Sequence, residues 1–134
     1  MPLTVNTLQK TLQALTSGTY FGLATDEPRA GAFNEPMASY GYARKSISDA
    51  GGMSITTDTS SATATNSKKF YFNEAEGGDW GLITHLFIAD SGTRGSGNLL
   101  YYGELTQATT ISENCMPKFA EKAISITLTS SDLS

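Results

Sequence analysis

The sequence predicts a mainly β protein: an antiparallel β-sandwich of jelly-roll or immunoglobulin-like kind, with one short N-terminal α-helix. Three observations carry this expectation. Apolar residues recur at three- and four-residue spacing only near the start of the chain. Beyond Gly18, short β-rich runs are separated by turn signals at intervals of about 8 to 12 residues. Charged residues make up only 16% of the 134-residue chain, and polar turn formers, among them 13 glycines, are abundant. The length corresponds to a single domain, residues 1–18 forming the helix and 19–134 the sandwich.

Over residues 3–15, Val5, Leu8, Leu12 and Leu15 form a narrow apolar stripe, with Thr4 or Asn6 to cap the start and Gly18 to end the helix. So narrow a stripe needs a sheet to dock on. TYFGLAT, residues 19–25, reads as a strand, and DEPRAGAFNEP, residues 26–36, as a long loop. SYGYARKSI, residues 39–47, alternates Tyr40, Tyr42 and Arg44 with Gly41, Ala43 and Lys45, the pattern of a strand. DAGGMSITTD follows as a turn and a short strand. TDTSSATATNS, residues 57–67, holds only small and polar side chains and reads as a solvated loop or an edge strand.

KKFYFN, residues 68–73, reads as an aromatic strand, and EAEGGD as a turn. LITHLFIAD, residues 82–90, is almost continuously apolar, as expected of a central strand covered on both faces. SGTRGSGN makes a glycine-rich, mobile loop, and NLLYYGELTQ, residues 98–107, returns as a hairpin partner. In AISITLTSS, residues 123–131, Ile124, Ile126 and Leu128 point inward while Ser125, Thr127 and Thr129 point outward.

Composition excludes several classes of function. The net charge is −4, and no basic cluster exceeds the pairs Arg44-Lys45 and Lys68-Lys69, so no nucleic-acid partner is expected. One cysteine, Cys115, forms no internal disulfide, and one histidine, His85, cannot build a Cys/His zinc site. No apolar run and no N-terminal signal pattern suggests a membrane segment or export, so no membrane partner is expected either.

Chemistry-bearing constellations are equally scarce. His85 lacks a nucleophile or carboxylate at a recognisable spacing and reads as a packing or interface residue. Glu74 with Glu76, and Asp26 with Glu27, sit in turns, where solvated charge is the simpler reading than a glycosidase pair. GTRGSG lacks the lysine and the helix of a phosphate loop, and no Asp ladder for calcium is present. Trp80 reads as a plug at the end of the core rather than a sugar platform. The expectation is therefore a non-enzymatic protein with no catalytic, cofactor-binding or metal-binding residues. The surplus is aromatic: Phe21, Phe70, Phe72 and Tyr102, and beyond them Tyr20, Phe33, Tyr40, Tyr42, Tyr71 and Tyr101, the last six being candidates for subunit contacts.

The order of these signals resembles a family of small tailed-bacteriophage virion proteins, variously capsid-decoration, head-fibre or tail-fibre-like, over residues 8–128. W-G-x-I-T-H-x-x-I-x-D, residues 80–90, and G-N-L-L-Y-Y-G-x-L, residues 97–105, carry the resemblance, with Y-A-R, residues 42–44, as a weaker element. The chain departs from the family in ENCMPKFAEKA, residues 113–123, where a Gly-rich approach to the last strand is expected; Pro117 bars a central-strand role at its own position, leaving a helical turn or a subunit contact.

The resemblance implies a β-sandwich building block of a virus particle with no catalytic residues. With the surplus aromatics, the expectation is a virion protein assembled in the host cytoplasm, a trimer or other homo-oligomer bound to the major capsid protein or other virion proteins. Its expected place is the head exterior, as decoration, cement or fibre anchor, with loops 26–36 and 57–67 reaching the partners. A tail fibre, baseplate or tail-tip component is the alternative. From a different class, a carbohydrate-binding module remains open, because sandwiches commonly present Trp or Tyr to sugars.

Overall fold

The structure, a computed structural model, describes residues 4–129. Leu3 of the expected helix and Ser130 and Ser131 of the expected last strand lie outside the described residues. The chain is mainly antiparallel β with one N-terminal helix, consistent with the sandwich class expected. It divides into two compact units, which the chain enters in alternation.

The first unit comprises the described parts of Met1–Ser17, Ile47–Phe70 and Phe119–Ser134. Its helix α1 (Val5–Thr16) starts where expected: the Thr4 side chain caps it by accepting from the Thr7 backbone N–H at 3.2 Å. Gly18 follows in the left-handed region at φ +67°, a conformation that suits a residue without Cβ. Strands β3 (Met53–Thr57), β4 (Ser61–Asn66) and β9 (Ser125–Thr129) form a sheet in the order β3-β4-β9. The helix docks on this sheet, chiefly over β4. Leu8, Leu12, Ala62, Ala64 and Ile126 are buried between them. Burying the two leucines contributes about 1.5–3 kcal/mol each, which the narrow stripe alone could not supply in water.

Residues 57–67 are thus no solvated loop or edge strand. After a turn they form β4, the central strand of the sheet, with partners on both sides. The polar composition had pointed outward, yet Ala62 and Ala64 leave room for a helix, and Thr63 and Thr65 lie on the sheet's other side. Thr63 and Thr127 join their hydroxyls across that second side at 3.0 Å. The helix-facing row ends in Asn66, a wholly buried amide. Its Nδ2 donates to the carbonyls of Lys68 at 2.9 Å and Ala120 at 2.8 Å, and its Oδ1 accepts the Ile124 N–H at 2.9 Å. One side chain therefore fixes the run into the last strand, and Lys122, at φ +63°, is also tied to the Asn66 carbonyl.

The second unit comprises Gly18–Ser46 and Tyr71–Lys118. Its sheet has the order β2-β1-β6-β7, built from β1 (Tyr20–Ala24), β2 (Lys45–Ser46), β6 (Gly81–Ala89) and β7 (Leu99–Ile111). The apolar run around His85 is a central strand as expected, paired with β1 on one side and with its hairpin partner β7 on the other. Gly22 lies opposite Phe87, and a Cβ there would fall 2.2 Å from the Phe87 ring. The ring occupies the space that glycine leaves.

Two expected strands shrink. Of residues 39–47 only β2 is extended; Ala38–Tyr40 makes a 3-10 turn, and Gly41 reverses the chain at φ +87°. Of residues 68–73 only β5 (Phe70–Tyr71) is a strand, against β8 (Lys118–Phe119). Phe70 and Phe72 are buried and Tyr71 is exposed, so the alternation holds where the ladder does not. In place of a helical turn at residues 113–123, the start of the segment runs beside residues 72–75: Phe72 N–H donates to the Pro117 carbonyl, and Ala75 N–H to that of Cys115.

Replacing Asn66 with Ala removes three hydrogen bonds and leaves the Ile124 N–H buried without a partner, so Asn66→Ala should cost about 2–4 kcal/mol in urea denaturation. The surface change Thr63→Ala should cost less than about 1 kcal/mol by the same measurement.

Candidate functional site

In the second unit the long loops converge on one buried ion pair. Glu35 ends the 26–36 loop and Arg44 precedes β2; their side chains are 1% and 0% exposed. Glu35 Oε1 accepts from Arg44 Nε at 2.8 Å and from the Tyr42 hydroxyl at 2.6 Å, and Oε2 accepts from Arg44 Nη2 at 3.0 Å. The fourth bond comes from the Gly95 backbone N–H, 2.7 Å from Oε2. Arg44 Nη1 donates onward to the carbonyls of Ser91 and Ser96, at 2.7 and 2.8 Å. The guanidinium also lies over two rings, its centre 4.7 Å from that of Phe33 and 5.1 Å from that of Phe87.

Burying two charges costs several kcal/mol per ion unless every donor and acceptor finds a partner. Here every side-chain nitrogen and oxygen of the pair has at least one, and no buried side-chain polar atom is unsatisfied among the described residues. Removal from water, then the neighbouring Glu35 charge, push the Tyr42 phenol far above its ordinary range. Tyr42 therefore stays a neutral donor to Glu35, and its oxygen accepts the Leu23 N–H of β1 at 3.1 Å.

This pairing tethers the 91–98 loop, whose glycines alone suggest mobility. Arg44 holds it from within, and Arg94 clamps it to the 26–36 loop by donating to the carbonyls of Pro36 and Glu35. At its mouth Asp90 accepts from the Asn98 N–H at 2.7 Å and from the Asn98 side-chain amide at 2.8 Å. Those bonds, the backbone one foremost, hold the Asp90 carboxyl below its ordinary value. Across the sheet Tyr102 donates to Glu27 Oε1 at 2.9 Å, a bond that raises the phenol and ties the 26–36 loop to β7.

The six aromatic candidates for subunit contacts do not gather on one surface. Phe33 is buried within its unit against Phe87, at a centroid distance of 5.2 Å, and Tyr42 is buried against Trp80 in an edge-to-face contact at 5.4 Å. Both are internal rather than interfacial, because Arg44 and Glu35 require an apolar and a hydroxyl partner. Tyr20, Tyr40 and Tyr101 are half-buried, and Tyr71 alone of the six is well exposed. Trp80 is a core plug as expected, its Nε1 donating to the Tyr40 carbonyl at 2.8 Å.

His85 is hydrogen-bonded to its neighbour Thr84, 2.8 Å from Nδ1, and its ring centre lies 6.2 Å from that of Tyr102, a packed strand residue. Among the described residues no group of His, Cys, Asp or Glu could hold a metal ion, and no helix is long and apolar enough to cross a membrane. Sequence reasoning passed over Glu35, Arg44 and Arg94. The available signal was the Y-A-R element together with a lone glutamate between Asn34 and Pro36.

Glu35→Gln should destabilise the protein by about 3–5 kcal/mol in urea denaturation, since it leaves the guanidinium buried without its counter-charge. Arg44→Lys should not rescue, because an ammonium cannot span the same acceptors. Because folding depresses Asp90, its contribution is present above the ordinary aspartate value of 3.8 and is lost as pH falls through the lower folded value. An NMR titration of the Asn98 amide should accordingly show its midpoint below 3.8.

No curated protein matches the chain. A family model described as podophage GP4 fiber I protein gp80 matches residues 4–127, which take in the helix, the strands up to Thr127 and the Glu35–Arg44 cluster. The chain thus belongs to the podophage GP4 fiber I protein gp80 family, a family of bacteriophage virion structural proteins.

Proposed function

We propose that this protein is a non-enzymatic building block on the outside of the particle, anchoring or forming a fibre at the head as a trimer or other small homo-oligomer. The family match supports the coarser part of this reading, a fibre component of the virion. Support also comes from where apolar surface is left uncovered. Among the described residues every exposed large hydrophobic side chain belongs to the second unit, Leu82, Leu100 and Tyr102 among them. Leu100 and Tyr102 alternate along β7, an edge strand with β6 as its one neighbour in the sheet. Exposed Leu and Tyr on an unpaired edge are what a subunit contact covers.

In this reading the Glu35–Arg44 cluster acts as a brace. It presents the 26–36 and 91–98 loops in one shape, so that docking onto the major capsid protein or another virion protein does not have to order them first. Each contact with the assembled shell adds to the free energy that must be overcome before the shell comes apart. The second reading, favoured by the word fiber in the family's description, places the chain in a tail fibre, baseplate or tail tip.

Electron microscopy of labelled particles tests the location: density on the head exterior is expected, and density confined to the tail selects the second reading. Sedimentation should show an oligomer at micromolar concentration, and Leu100→Lys with Tyr102→Lys should shift it towards monomer. A folded monomer that binds neither shells nor tails would remove the proposal.

A further inference from the structure

The second unit also holds an open groove of about 500 Å³, within the size range of small-molecule sites. Lys45, Tyr71, Asn73, Glu74, Glu76 and Met116 line it. Tyr71 is 42% exposed and Met116 50%, although neighbouring Phe72 is buried, so the strand turns one aromatic outward at this place. The groove keeps its shape through backbone ties: Asn73 Nδ2 donates to the Gly41 carbonyl, and the Glu76 N–H to that of Tyr40. Gly41 is required there, because a Cβ would come within 2.8 Å of the Glu74 carbonyl oxygen. None of Lys45, Glu74 and Glu76 is engaged in an ion pair among the described residues.

We infer that this groove binds an uncharged saccharide, with Tyr71 as the platform beneath the sugar ring. The lining favours this class. An anion would meet two carboxylates, and a simple cation would meet the Lys45 ammonium. A ligand whose every hydroxyl both donates and accepts finds donors in Lys45 and Asn73 and acceptors in Glu74, Glu76 and the Asn73 carbonyl oxygen. The apolar C–H face of such a ring suits an exposed tyrosine and a flexible thioether. Trp80, the aromatic that sequence alone offers for this role, is buried with its N–H engaged, and so is unavailable. The inference is independent of where in the virion the chain resides.

The test is NMR of the isotope-labelled full chain with glucose, galactose, mannose, rhamnose, N-acetylglucosamine and N-acetylgalactosamine at tens of millimolar. Phosphate and tetramethylammonium serve as charged comparisons. At least one sugar should shift amide signals of residues 41, 45, 71–76 and 116 and leave those of β4 in place. Tyr71→Ala should weaken that binding by at least about tenfold, whereas Tyr71→Phe, which keeps the ring, should stay within about threefold. Both variants change an exposed side chain, and unchanged thermal melts would confirm that they fold. The inference is overturned if no sugar shifts the groove signals, if only a charged probe does, or if Tyr71→Ala binds as well as the parent. None of these results bears on particle location or oligomeric state, which the preceding experiments read separately.

Discussion

A guanidinium and a carboxylate, both removed from water, hold the second unit together. Glu35 and Arg44 are only nine positions apart, yet through them a loop after β1, the approach to β2 and the β6–β7 connection share one network of hydrogen bonds. A buried pair of this kind gains little over an apolar replacement, but the two charges cannot be separated cheaply. That asymmetry makes the pair a constraint rather than a source of stability. Any arrangement of the loops that moved Ser91, Ser96 or Gly95 away would strand a charge in the interior.

The constraint explains other features of the unit. Phe33 and Phe87 form the apolar walls against which the guanidinium lies, and Gly22 yields the room that Phe87 needs. Tyr42 is turned inward because the carboxylate needs a further donor and a β1 N–H needs an acceptor. Phe33 and Tyr42, which a count of surplus apolar surface would place at subunit contacts, are therefore part of the interior. Leu82, Leu100 and Tyr102, none of them among the six aromatic candidates, remain outside. On the function proposed above, this division of labour lets loops fixed from within dock without ordering, while a few exposed side chains supply the contact surface.

The first unit follows a simpler logic. A neutral amide, Asn66, takes the place of the ion pair, and alanines take the place of large side chains, so that a helix can lie close to the sheet. Both units thus rely on a buried polar group, fully satisfied, to fix segments that hydrophobic contact alone would leave free to slide.

The sequence by itself determined the elements whose burial follows a period. The helix from Val5, the strand around His85 with its hairpin partner, and the alternation of the final strand were legible because side-chain spacing encodes which face is covered. Plug-like Trp80 was legible for the same reason. Tertiary structure decided the rest. The polar run at residues 57–67 became a central strand because a helix arrived to cover its alanines, and that helix lies far away in sequence. The tyrosine-rich run before β2 lost its expected ladder because Gly41 turned it and Arg44 was drawn to Glu35. The glycine loop is tethered because two of its carbonyls meet a buried guanidinium. Periodicity reports a residue's own face, whereas the worth of a charge or an amide depends on partners brought close only by folding.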